Sequence, residues 1–135
     1  MYYVARKDNT PFFEVPEPEH RILSVLISPE LDPTNHDVAL GRTEMTPGCQ
    51  SDVRGHEEGE LFYCIRGKGT VEIEGVDYEL SEGEAVYVPP FVVHTLKSDK
   101  GENFDLVWFL TPPFGGDRKT LGMIKDAEEK AKAEK

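Results

Sequence analysis

Along the first 116 residues, apolar and polar positions fall into short runs rich in β-branched and aromatic side chains, and no helical repeat is visible there. Gly, Pro, Asn and Asp clusters separate the runs, which is the pattern of strands joined by turns. The runs predict strands at Tyr2 to Arg6, Arg21 to Ser28, Asp37 to Met45, Leu61 to Ile65, Thr70 to Ile73, Val76 to Leu80, Ala85 to Val88, Val92 to Leu96 and Phe104 to Leu110. Pro47-Gly48, Gly67-Lys68-Gly69, Glu74-Gly75, Glu82-Gly83, Pro89-Pro90 and Lys100-Gly101 fall between them, where turns need special backbone angles. Short strands in this number imply a sandwich or a closed barrel. Phe12, Phe13 and the Pro-rich stretch Glu14 to Glu19 read as an extended arm over the body's surface.

The pattern changes after residue 116. Leu121, Ile124, Ala127 and Ala131 recur at near-helical spacing among Lys and Glu, which predicts a terminal helix with a thin apolar face. It either packs weakly on the body or on a partner subunit, or stays largely disordered. The chain therefore divides into a β-domain with an N-terminal arm at 1–116 and a charged helical tail at 117–135.

At 135 residues there is material for one core. The balance of 15 Lys+Arg against 26 Asp+Glu gives a net charge of -11. Residues 117–135 hold six basic and five acidic side chains, so the acidic excess belongs to the body. Such a field repels phosphate backbones and anionic lipid, and argues against nucleic acid or a membrane as partner. Cys49 and Cys64 are too few for a disulfide framework, leave room for one bridge at most, and suit a reduced compartment. The start, Met1 to Lys7, lacks the apolar stretch of a signal peptide, and no run approaches the length of a spanning helix. The expected setting is cytoplasmic.

Three side chains suit a metal: His56 and Glu60, around the Glu57-Glu58-Gly59 turn, and His94, after Pro89-Pro90. Residues of equal parity on a strand share a face. Asp52, Arg54 and His56 would then point together, as would Glu60, Phe62 and Cys64. If these faces line one cavity, two imidazoles and a carboxylate converge. Glu57 and Glu58 read as a solvated turn, His20 and His36 as surface residues, and Cys64 as a small buried hydrophobe. Tyr63, Tyr78, Tyr87 and Trp108 read as core or subunit-contact aromatics, and Lys97 as a solvated strand end.

Gly48 to Gly67 and Gly83 to Ser98 resemble the two motifs of the cupin superfamily. In the first, His56 takes the second histidine position and Glu60 the glutamate, and Gly67 closes the motif six residues later. In the second, Gly83 is followed after five residues by Pro89 and then by His94, the last histidine position. Arg54 stands where the first histidine is expected, and Phe91 and Ser98 replace the usual Gly and Asn. The resemblance implies an all-β fold, a cupin-type double-stranded jelly-roll barrel followed by a short C-terminal helix, with the site inside its mouth.

It also implies a divalent metal on His56, Glu60 and His94. Two histidines and one carboxylate leave open coordination positions and suit Fe(II) first, with Mn, Ni, Co or Zn chemically open. The set is similar to that of ring-opening dioxygenases acting on hydroxyanthranilate, although the histidine-to-glutamate spacing there is longer. A guanidinium about 5 Å from a dication would be repelled by several kcal/mol at an effective dielectric near 20. Arg54 therefore either turns away to Asp52 or Glu58, or waits over the open positions for a substrate carboxylate.

The leading expectation is a mononuclear metalloenzyme acting on a small organic acid, most concretely a dioxygenase. Arg54, Asp52 and Phe62 would contact the substrate. The same ion in an isomerase, lyase or decarboxylase, with Tyr63 or Asp52 moving the proton, is the non-oxidative alternative. A binding cupin that captures a metabolite without turnover is the third. A homodimer through outer strands, Tyr2 to Arg6 among them, would cover exposed sheet edges.

Overall fold

A computed structural model of the chain describes residues 3–51, 55, 58–112 and 116–133. Eight strands and one helix follow in order: β1 (Phe12–Val15), β2 (Arg21–Ile27), β3 (Ala39–Met45), β4 (Gly59–Ile73), β5 (Val76–Ser81), β6 (Ala85–Val88), β7 (His94–Ser98), β8 (Phe104–Thr111) and α1 (Gly116–Ala133). All pairings between strands are antiparallel, and the strand order runs β1-β2-β3-β8-β4-β5, with β6 and β7 also on β4. The first half of β4 pairs with β8 and β6, and the second half with β5 and β7. One long strand thus belongs to both sheets, and the fold is the jelly-roll barrel that the sequence leads one to expect.

Period-two alternation explains the layers. In β3, Ala39, Gly41, Thr43 and Met45 are buried while Leu40, Arg42 and Glu44 are half-buried on the other face. In β8, Phe104, Leu106, Trp108 and Leu110 enter the core. Phe62 and Cys64 of β4 join them, with Val25 and Met45. Each such apolar side chain contributes roughly 1.5–3 kcal/mol by leaving water. Gly41 is the small partner of Trp108 across the β3/β8 ladder, and a Cβ there would overlap both the indole ring and the Ser24 carbonyl oxygen.

The structure differs from the sequence reading at four places. Residues 3–6 are not a strand: Asn9 Oδ1 accepts from the Arg6 N–H at 2.7 Å and Thr10 Oγ1 donates to the Arg6 carbonyl at 2.6 Å. These local bonds hold the backbone in a turn instead of a ladder. The rest of the predicted Tyr2 to Arg6 strand lies outside the described residues. The expected arm at Phe12 and Phe13 is strand β1, in register with Ser24 and Leu23 of β2.

Leu61 to Ile65 and Thr70 to Ile73 form one strand, because the chain bends at Gly67 without breaking its ladder. The register shifts between Cys64 and Arg66, and Gly67 sits at φ 77°, where a Cβ would overlap the Asn103 carbonyl. Finally, β7 begins at His94, because residues 89–92 form a turn (see below).

The tail is helical, as its spacing predicts, and lies on β1, β2 and β3. Thr120 is buried, Leu121 packs against the core, and Arg118 Nε meets Glu30 Oε1 at 2.9 Å. The Lys- and Glu-rich remainder faces solvent. Among the described residues no helix is long and apolar enough to cross a membrane.

The close approach at Gly41 gives a direct test. Gly41→Ala forces the Trp108 ring or the Ser24 backbone to move, and overpacking of this kind costs about 1–3 kcal/mol. Urea unfolding of the variant is expected to show a midpoint lowered accordingly, with an unchanged slope.

Candidate functional site

Glu60 lies near the start of β4 and His94 opens β7, which pairs with the far end of β4: His94 is in register with Ile73. Thirteen residues of straight strand would span about 43 Å. Yet His94 Nε2 and Glu60 Oε1 are 3.2 Å apart, so β4 curls round the barrel and brings its two ends together. Both side chains are largely enclosed, with 5% of His94 and 12% of Glu60 exposed. The Phe62 ring meets the imidazole edge-on, at 5.8 Å between centroids and 60° between planes. Phe62 thus stands beside the pair, on the face that its parity with Glu60 predicts.

The tautomer of His94 follows from its neighbours. Nδ1 is 2.9 Å from the Val92 carbonyl oxygen, which only accepts, so Nδ1 carries the hydrogen. A neutral ring then presents the Nε2 lone pair to a carboxylate oxygen. Two lone-pair atoms facing one another at this distance require a proton or a cation between them. A backbone carbonyl accepting from Nδ1 is also how histidine is ordinarily oriented for a metal on Nε2. Glu60 and His94 thus fit as two donors to a divalent ion. Among the described residues no three His, Cys, Asp or Glu side chains form a group that could hold one, so the third donor would come from elsewhere.

Asp52, Arg54 and His56 lie outside the described residues, as does Glu57. The chain on either side of them is anchored at the site. Ser51 donates its N–H to the Leu96 carbonyl at 2.8 Å, its Oγ accepts the Leu96 N–H at 2.8 Å, and Thr95 Oγ1 donates to its carbonyl at 2.9 Å. On the other side, Gly59 is in register with Thr111 of β8.

Glu58 corrects the expectation of a solvated turn: it is 1% exposed, a buried carboxylate two residues before Glu60. Its run with Glu57 gave no sign of this, because burial here depends on the closure of the barrel. Tyr63 is not brought to the site. It alternates with Phe62 and Cys64 and stands 43% exposed on the outer face, so strand geometry removes it as the proton-moving group of this pair.

Cys64 faces the interior and is fully buried, and burial pushes its thiol above the ordinary range. Both cysteines are free. Lys97 is drawn away from the site by Glu72 at 3.2 Å and Asp77 at 3.6 Å, and the hydrogen bond with Glu72 raises its pKa. His36 is exposed, as expected, whereas His20 is half-buried between Glu14 Oε1 at 2.6 Å and Thr46 Oγ1 at 3.3 Å.

The turn before His94 is strained. Val92 N–H donates to the Pro89 carbonyl at 3.3 Å, and Phe91, third in the turn, has φ 66°. Glycine is the ordinary occupant of that position. The Phe91 side chain is 73% exposed, so little packing offsets the strain.

The comparisons with known proteins agree with this architecture. The cupin domain profile matches residues 41–110, just over half of the chain. A curated relative, dimethylsulfoniopropionate lyase DddW of Ruegeria pomeroyi, is 35% identical over 69 residues, which cover 50% of this chain and 45% of that protein. The match thus spans less than half the length of this relative. Among solved structures, an RmlC-like cupin from Shewanella frigidimarina superposes with a TM-score of 0.71 at 19% identity, covering 87% of this chain and 96% of that one. The polyketide cyclase RemF from Streptomyces resistomycificus gives 0.70 at 18% identity, with coverages of 82% and 80%. At these identities the two structures speak for the fold alone.

Two measurements check the environment. Phe91→Gly removes a left-handed penalty of about 1–2 kcal/mol against about 0.5–1 kcal/mol of added chain entropy. Thermal melting is expected to rise by about 2–4 °C. Second, Cys64 should react with Ellman's reagent at pH 8 at least about 100-fold more slowly in the native protein than in guanidinium, since attack requires opening of the core.

Proposed function

The chain belongs to the cupin domain family, and from that premise we propose that it is a metal-dependent lyase acting on a small carboxylate. The observation that carries the reading is the enclosed pair of Glu60 and His94, with Nδ1 of the histidine committed to Val92 and Nε2 directed at the carboxylate. His56 is the third donor in this reading. A divalent ion held there would act as a Lewis acid on substrate oxygen atoms. Arg54 would take the substrate carboxylate through its forked donors, Phe62 would wall the site, and Asp52 would accept the proton.

The choice of a lyase over the dioxygenase expected from the ligand pattern rests on the curated relative, which is a dimethylsulfoniopropionate lyase. For a β-substituted propionate, a base removes the α proton, the C–H electron pair forms the C=C bond, and the leaving group departs with the Cβ–X pair. No oxidant is consumed. The net charge of -11 favours a substrate with a positive group beside its carboxylate, as a sulfonium acid has.

The test is an anaerobic assay of the metal-reconstituted chain on β-substituted propionates, dimethylsulfoniopropionate included, followed by absorbance of the alkenoate product. Turnover without dioxygen is expected, and turnover that requires dioxygen restores the dioxygenase reading. Glu60→Ala and His94→Ala should each lower bound metal, by elemental analysis, and cut kcat/KM about 100-fold or more. Full activity without stoichiometric metal would remove the reading.

A further inference from the structure

The backbone on both sides of Phe91 is fixed. The Val92 N–H donates to the Pro89 carbonyl at 3.3 Å, the Val92 carbonyl accepts from His94 Nδ1 at 2.9 Å, and the Val93 carbonyl accepts from the Glu74 N–H at 2.9 Å. These bonds hold residue 91 at φ 66°, and nothing in them requires a side chain there. Glycine would take the same conformation without strain, yet a phenylalanine stands where the second cupin motif has its usual glycine. Its ring is 73% exposed, so the core gains little from it. Strain kept where a smaller residue would relieve it points to a task for the side chain outside the core.

The surroundings of the turn define that task. Three positions separate Phe91 from His94, so their Cα atoms lie within about 11 Å of one another. On its other side, a Cβ built on Gly55 would stand 2.9 Å from the Phe91 carbonyl oxygen and 3.4 Å from Val93 Cγ2. Gly55 is the sequence neighbour of Arg54 and His56. Val93 is itself 47% exposed. Phe91 and Val93 are therefore an apolar rim beside His94 and beside the chain at Gly55. Phe62 is committed edge-on to the imidazole, whereas the ring of Phe91 is open to a ligand.

We propose that Phe91 is a specificity residue, whose ring face receives the positive group of a sulfonium or quaternary ammonium carboxylate bound at the site. The inference rests on the reading of that site under the preceding heading. A trialkylated cation has no hydrogen to donate, so a hydrogen-bonding acceptor offers it little, while the negative face of an aromatic ring attracts it. The carboxylate end of such a ligand would be left to Arg54 and the ion.

Calorimetric titration of the metal-reconstituted full chain tests this without turnover. The probes are β-alanine betaine, a trimethylammonium carboxylate, and its neutral isostere with a tert-butyl group in place of the cation. The parent is expected to bind the betaine more tightly. Phe91→Gly should weaken the betaine at least about fivefold and change the isostere by less than about twofold, in a variant that melts above the parent. Phe91→Trp should keep the preference and Phe91→Leu should lose it. Equal binding of the two probes by the parent, binding of neither, or a preference that survives Phe91→Gly overturns the proposal. So does equal weakening of both probes, which would make the ring an apolar wall only. The anaerobic turnover assay separates the two readings: a preference removed by Phe91→Gly in a chain that shows no lyase turnover retains the role of Phe91 and discards the lyase.

Discussion

The closure of β4 on itself is the constraint from which the rest of the structure follows. Backbone N–H and C=O groups in a barrel must all find partners, and this strand satisfies its own through four neighbours in succession. It can do so only by curling, and the bend falls at the shifted register beyond Cys64 and at Gly67, whose φ of 77° and contact with Asn103 exclude a side chain. Curling brings the start of the strand back to the neighbour of its end. A carboxylate and an imidazole that are 34 positions apart thereby share one enclosed space.

Within that space the polar groups are ordered by what each can donate. The Val92 carbonyl takes the only hydrogen of a neutral His94, and the nitrogen that remains is left to whatever lies between it and Glu60. The turn that supplies this carbonyl is held with a phenylalanine in a conformation suited to glycine, and Ser51 ties the preceding chain to the next two residues of β7. The site is therefore framed by backbone on both sides of His94. This rigidity is what a metal or a shared proton needs in order to be held at a fixed position.

The outer surface divides by chemistry. Acidic side chains outnumber basic ones in the chain as a whole, but the outward positions of four adjacent strands include the aliphatic and aromatic side chains Leu40, Phe109, Leu61, Val107, Tyr63 and Tyr87 beside Arg42 and Glu44. The same alternation that takes Phe62 and Cys64 inward places Tyr63 on the outer face.

Much of this was legible in the sequence. Alternation located seven of the eight strands, although it split β4 in two, and helical spacing located α1. The glycine, glutamate and histidine spacings around Gly67, Glu60 and His94 pointed to a cupin barrel and to the pair at its centre. These features are local: periodicity, turn chemistry and motif spacing are properties of neighbours in the chain. What the tertiary structure alone decided was non-local. It joined Leu61–Ile65 to Thr70–Ile73 as one strand, turned the Phe12 arm into β1, buried Glu58 and sent Tyr63 outward. In each case the outcome depends on which distant strand lies alongside, and the sequence of a single segment does not carry that information.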